Sequence, residues 1–142
     1  GETEAEFQVL LDWLEAAQRH GLAPIFLVAP SSTGARLAMT TAHCRGFVYV
    51  TSVMGVTGTR TSVGSAAEGL VARTRAVTDL PLCVGLGVSD GAQAAELAAF
   101  ADGVIVGSAL VRRLAGEGAW EQRLASLREL TAELARGVRS GR

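Results

Sequence analysis

The chain is short of cysteine, and that shortage removes whole classes of protein. Cys44 and Cys83 are the only two thiols in 142 residues. That is neither the density of a secreted disulfide scaffold nor the paired spacing of a zinc or redox motif, so both read as buried thiols of a reducing cytoplasm. No histidine stands near a Cys, Asp or Glu at ligand spacing, so no metal is expected; His20 and His43 read as helix-end residues, well placed for the helix dipole. An excess of one charge is missing as well. Thirteen basic and fourteen acidic residues leave a net charge of -1, which gives no field to attract a nucleic acid backbone or an anionic membrane. No apolar run approaches the roughly 20 residues that span a bilayer, and no charged-then-apolar leader opens the chain. The expectation is a soluble, cytoplasmic protein.

What is present is a hydrophobic content of 49%, enough to fill the core of one domain over residues 1–142. Its periodicity alternates. Thr3 and Glu6 have the spacing of a capping box, and Phe7, Leu10, Leu11, Leu14 and Ala17 repeat at helical spacing until Gly21. APIFLVAP (23–30) is short, branched and uncharged, the pattern of a strand covered on both faces. Ser32 and Thr33 can cap a second helix carrying Leu37, Met39 and Ala42, and GFVYV (46–50) returns to strand. A Gly- and Thr-rich loop follows over 52–64, and Ser65 can start a third helix through Leu70, Val71 and Val77. PLCVGLG is a third strand, Ser89 or Asp90 begins a fourth helix ending near Phe100, and DGVIVG is a fourth strand. A short helix is expected from Ser108, and a final one from about Trp120 to about Gly137 with Leu124, Leu127, Leu130 and Leu134 on one stripe.

Strands that alternate with helices through connections too long for hairpins are parallel, as in a (β/α) barrel or a doubly wound sheet. The position of the glycines separates the two. A dinucleotide fold carries G-x-G-x-x-G after its first strand, and here that strand ends in APSST. A barrel that grips phosphate does so after its last two strands and at the start of a short extra helix, where GLG (85–87) and GS (107–108) occur. Glycine lets a ligand's oxygens reach outward-pointing peptide N–H groups, and a helix start adds unpaired N–H groups and the positive end of the dipole. Gly85 and Gly87 after one strand, with Gly107 and Ser108 after the next, can converge on a single anion. The loop VTSVMGVTGTR has the length and hydroxyls of a lid over that end of the sheet. Tyr49 either lines the ligand side of its strand or packs beneath a helix, since alternation gives the period and not the phase.

The segments GLAPIFLVAPSS, RGFVYVTSVMGVTG, LPLCVGLGVSDG and ADGVIVGSALV, in this order and spacing, resemble the tryptophan synthase alpha subunit family, in the form found in high-GC Gram-positive bacteria. The likeness runs over residues 12–139. It implies an α/β fold of the TIM (β/α)8 barrel family, this chain covering the half from about helix 4 through strands 5–8 and helix 8. It also implies a retro-aldol cleavage of indole-3-glycerol phosphate by the whole subunit, with pyridoxal phosphate held only by a beta subunit partner. Carried over by position, Gly58, Gly87, Gly107 and Ser108 would hold the substrate phosphate, Tyr49 would line the pocket, and Thr57 would be the lid threonine. Two departures stand out: Val53 occupies the place of a lid arginine, and residues 1–11 lack the proline-rich turn expected before this helix. The family's catalytic glutamate and aspartate belong to the early strands, so no catalytic residue is assigned here and the isolated chain is expected to be inactive. Other readings are an autonomous noncatalytic half-barrel that binds phosphate compounds, or a partner-binding module. The sheet is expected to be covered by the N-terminal half of the barrel or by a second copy of this chain.

Overall fold

In the computed structural model, residues 3–52, 60–85 and 87–142 are described, with residues 60–65 described in backbone only. Residues 53–59, and with them the expected lid residues Thr57 and Gly58, lie outside the described residues. The elements run α1 (Glu4–Arg19), β1 (Leu27–Val28), α2 (Gly34–His43), β2 (Val48–Thr51), α3 (Arg60–Arg75), β3 (Leu82–Gly85), α4 (Gly91–Ala98), β4 (Gly103–Ile105), α5 (Ser108–Ala115) and α6 (Trp120–Ser140). The four strands pair in chain order, all parallel, as the long connections require.

Local chemistry explains the helix starts. Thr3 accepts the Glu6 N–H while the Glu6 carboxylate accepts the Thr3 N–H at 2.7 Å, a complete capping box. Thr33 caps α2 through the Arg36 N–H, and Asp90 caps α4 through the Gln93 N–H at 2.8 Å. His20 and His43 end α1 and α2. The third helix begins at Arg60 and not at Ser65.

Register fixes the two faces of the sheet. Val28, Val48, Val50, Leu82 and Val84 face the helices and are at most 1% exposed. They form one core with Leu37, Leu70, Val71, Leu97, Leu130 and Leu134, whose burial is the main stabilising term. Leu27, Tyr49, Cys83 and Gly103 share a row on the opposite face, and there Leu27 is 61% exposed. The expectation that the first strand is covered on both faces therefore fails. Its second face is open because all the helices that cover the core lie on one side of the sheet.

The closest helix contact is between α4 and α6. A side chain on Gly137 would run into the backbone of Gly91, and one on Gly141 into the backbone of Ala95. Two glycines thus let α6 lie directly on α4, and the Glu133 carboxylate accepts the Gly91 N–H at 2.9 Å across the same crossing.

Candidate functional site

The C-terminal ends of β3 and β4 each finish in a glycine turn at the same level. Gly85 pairs with Ile105 in the last row of the sheet, and Gly87 and Gly107 each follow two residues later. Neighbouring strands are about 4.8 Å apart, so the two turns open side by side. Both glycines are exposed. Gly87 has φ +78°, a left-handed conformation that turns the chain out of the strand and that a side chain would strain. Gly107 has an ordinary φ of -119° and is the N-cap of α5, with no side-chain cap on the first turn. Its carbonyl accepts the N–H groups of Leu110 and Val111 at 3.0 and 3.1 Å. A Cβ on Gly107 would have no heavy atom within 4 Å, so space stands open in front of the helix start. Ser108 is the exposed first residue of α5.

Gly85 takes a different part from the one expected of it. It is the last residue of β3, buried in the ladder, and its carbonyl accepts the Ser52 N–H at 3.1 Å. Its missing side chain makes room: a Cβ there would lie 2.6 Å from the Ile105 Cβ and 3.1 Å from the Tyr49 hydroxyl. That contact answers the question of phase for Tyr49. The ring lies on the open face of the sheet, half-buried, with its hydroxyl over Gly85 just below the two turns. The sequence signal for this, a glycine at a strand end one strand away from a lone tyrosine, is visible only after the register is known.

Other polar groups near this end are occupied by structure. Thr51 donates its hydroxyl to the Val28 carbonyl at 2.9 Å, locking β2 to β1. The Ala29 N–H donates to the Ser32 Oγ and the Ser32 N–H to the Ala29 carbonyl, closing the VAPSS turn. Asp90 is held by its cap. Ser52, only 2% exposed, is the exception: among the described residues its Oγ has no hydrogen-bond partner. The sequence offers it only as one of several hydroxyls in VTSVMGVTGTR.

At the opposite end of the sheet, Asp102 accepts the Leu82 N–H at 2.8 Å and an Arg75 N–H at 3.0 Å. The Leu82 N–H, with the neighbouring Arg75, holds its carboxyl below the usual carboxylate range. Asp102 is a staple between strand starts and stands far from the glycine turns. Cys44 is buried and Cys83 half-buried, both free. Burial pushes both thiols up, and the Asp102 charge adds to the effect at Cys83. Among the described residues no helix is long and apolar enough to cross a membrane.

Comparison with known proteins converges on one family. The family model for the tryptophan synthase alpha chain matches residues 10–139. The alpha chain of Streptomyces coelicolor is 62% identical over 127 residues, 89% of this chain and 47% of that protein. The alpha chain of Mycobacterium marinum is 61% identical, with 89% and 45% covered. Among solved structures, tryptophan synthase of Mycobacterium tuberculosis superposes with a TM-score of 0.74 at 56% identity, covering 90% of this chain and 46% of that one. The alpha subunit of Campylobacter jejuni gives a TM-score of 0.76 at 26% identity, with 90% and 50% covered. The chain thus spans about half the length of the curated relatives it matches. Its parallel strands, helices and glycine turns are those of a segment of a TIM barrel, and the chain belongs to the tryptophan synthase alpha chain family.

Proposed function

We propose that residues 1–142 form one domain, the C-terminal half of a (β/α)8 barrel, and supply the phosphate-binding half of an alpha subunit that cleaves indole-3-glycerol phosphate to indole and glyceraldehyde 3-phosphate. One observation carries this reading: two exposed glycine turns at equal height on neighbouring parallel strands, one of them opening an uncapped helix. Peptide N–H groups at Gly87 and Gly107, the Ser108 hydroxyl and the dipole of α5 together suit a phosphate monoester without a lysine or arginine. Gly58 and Thr57 join them by family pattern alone. Tyr49, on the open face beneath, fits the wall of the substrate pocket.

The reaction moves two protons. A base takes the glyceryl hydroxyl proton, the bond from that carbon to indole C3 breaks, and an acid protonates C3. Among the described residues the carboxylates near the sheet are otherwise engaged, Asp90 as a helix cap and Asp102 at the far end. The acid and base therefore belong to the complementary half of the barrel, and the 142 residues alone are inactive. Indole would pass to a beta subunit that holds pyridoxal phosphate; this chain binds no such cofactor. Two unpaired cysteines agree with work in the cytoplasm.

Gly107→Asp tests the site cleanly. Its φ of -119° is negative and the space in front is open, so the fold should tolerate the change while a carboxylate occupies the anion's place. Titration calorimetry with glycerol 3-phosphate should show binding by the parent chain and none by the variant. Equal affinity would sink the phosphate site, and indole release by the chain alone would overturn the division of labour.

A further inference from the structure

The two glycine turns are tied together twice, once by the sheet and once by a helix. Within the sheet they meet at the last pair, Gly85 with Ile105. Beyond it each turn stands at the head of its own helix: Gly87 four residues before the first residue of α4, Gly91, and Gly107 as the N-cap of α5. Helix α6 grips both helices. It holds α5 through Arg123, which donates to the Leu114 carbonyl at 2.8 Å, and through Ser126, whose hydroxyl accepts from Arg113 at 3.0 Å. It holds the head of α4 at Gly91, where the Glu133 carboxylate accepts the N–H at 2.9 Å and Gly137, one helical turn further on, lies against the carbonyl.

The first N–H groups of a helix have no partner within it. Around the head of α4, Asp90 serves the Gln93 N–H and the Gln93 side chain serves the Ser89 N–H, each at 2.8 Å and each a local bond. The acceptor for Gly91 comes instead from another helix, 42 residues away. Gly91 is buried, so water does not replace it: without the carboxylate, this N–H finds an acceptor only if the head of α4 lifts off α6. Asp90 and Ser89 are bonded to Gln93 and would move with it, carrying the turn at Gly87. We propose that Glu133 is a positioning residue of the anion site: through the Gly91 N–H it seats the head of α4 on α6, and so fixes the Gly87 turn relative to the Gly107 turn. This role rests on the reading of those turns as a phosphate site. The sign of the charge sets it apart from direct binding, since a carboxylate by itself only repels an anion.

The test compares the parent 142-residue chain with Glu133→Ala and Glu133→Gln, using inorganic phosphate as the probe, well below the melting temperature of each protein. Calorimetric titration should show roughly fivefold weaker binding for Glu133→Ala and parent-like or tighter binding for Glu133→Gln, which keeps the acceptor and drops the charge. In amide NMR spectra without phosphate, the Gly87 and Ser108 signals should shift in Glu133→Ala and return in Glu133→Gln. Asp102→Asn, which weakens the protein at the far end of the sheet, is the control for lost stability and should bind phosphate as the parent does. Unchanged or tighter binding by Glu133→Ala overturns the role, because only the charge would then be felt at the site. Equal weakening in Glu133→Gln or in Asp102→Asn overturns it as well. Should Glu133→Ala fail to fold, Glu133→Asp, one methylene too short for the bond, takes its place under the same criteria. A parent chain that takes up no phosphate defeats the site reading and this role with it, whereas phosphate binding that is indifferent to Glu133 defeats the role alone.

Discussion

Replacing Gly85 by alanine isolates the closest contact under the candidate site. The new Cβ would sit 2.6 Å from the Ile105 Cβ, 2.8 Å from the Ile105 carbonyl oxygen and 3.1 Å from the Tyr49 hydroxyl. Carbon atoms rest comfortably at about 3.5 to 4.0 Å, so β3 and β4 must part by roughly 1 Å at their last pair. No rotamer change relieves this, because one obstacle is backbone and the strands are fixed by the pairs Val84–Val104 and Gly85–Ile105. Overpacking of this kind costs about 1 to 3 kcal/mol. A matched control comes from Gly69, inside α3 and exposed, where an added Cβ meets nothing within 4 Å. There alanine should gain about 0.5 to 1 kcal/mol from helix propensity and lost unfolded-state freedom. At this chain length about 1 kcal/mol moves the melting temperature by roughly 2 to 4 °C. Gly85→Ala should therefore melt several degrees lower and Gly69→Ala slightly higher, read by circular dichroism at 222 nm. A Gly85→Ala protein as stable as its parent would refute the reasoning, since the strand separation would then be soft, and Tyr49 would not be held by it.

Asp102 and the thiols supply the other tests. The Asp102 carboxyl is held below its usual range by the Leu82 N–H and Arg75, so its contribution is whole above an unfolded pKa of about 3.9 and is lost as pH falls through the lower folded value. Asp102→Asn should cost about 1 kcal/mol near neutrality, limited by solvent screening of a half-exposed pair, and should flatten the acid limb of a melting profile from pH 6 down; an unchanged limb would remove Asp102 from the balance. Burial raises both thiols, so iodoacetamide should label slowly at pH 7.5, with Cys83 on the open face ahead of buried Cys44, as peptide mass mapping would show. The reverse order would mean that the open face is covered in solution.

Much of this was legible in the residues, for physical reasons that also mark the limit. Capping is local chemistry, so Thr3 with Glu6 could be read directly, while the caps of α2 and α4 were narrowed to Ser32 or Thr33 and Ser89 or Asp90, of which Thr33 and Asp90 make the bond; the helix start at Ser108 followed from a glycine just after an apolar run. Parallel strands followed from connection length. Periodicity alone left the barrel open against a doubly wound sheet; the glycine positions after the later strands, and then the family likeness, chose the barrel. What could not be read depends on contacts between distant segments. Tyr49 required the register of β2 on β3, and Gly85 looked like a turn residue until its neighbours Ile105 and Tyr49 were known. Helix α3 begins at Arg60, five residues before the expected Ser65, because its Thr- and Ser-rich first turns carry no amphipathic stripe. Met39, expected on a core-facing position, is 40% exposed, and Val77, expected inside the third helix, lies beyond its end at Arg75 and is 42% exposed.

The two open edges of the sheet also bear on what covers its bare face, where Ile25 and Leu27 are exposed. Helix α1 precedes β1 and reaches it through an edge-on contact of Trp13 with Phe26, their ring centres 5.5 Å apart. Helix α6 follows β4 and, with α4 and α5, frames an apolar groove over Val104 and Val106. Each edge therefore already has its own helix. In a (β/α)8 barrel eight strands alternate with eight helices, one to each seam between neighbouring strands. A second copy related by a two-fold axis would set β4 beside the partner's β1 in the correct direction, but each seam would then receive α6 of one copy and α1 of the other, two helices where one fits. A complementary half that begins and ends with a strand brings no helix to either seam: α1 closes one and α6 the other. On this helix count two copies would bring α1 and α6 together at each seam, and α1, which leaves Trp13, Ala16 and His20 around an open groove, is the element at which such a pair would have to rearrange.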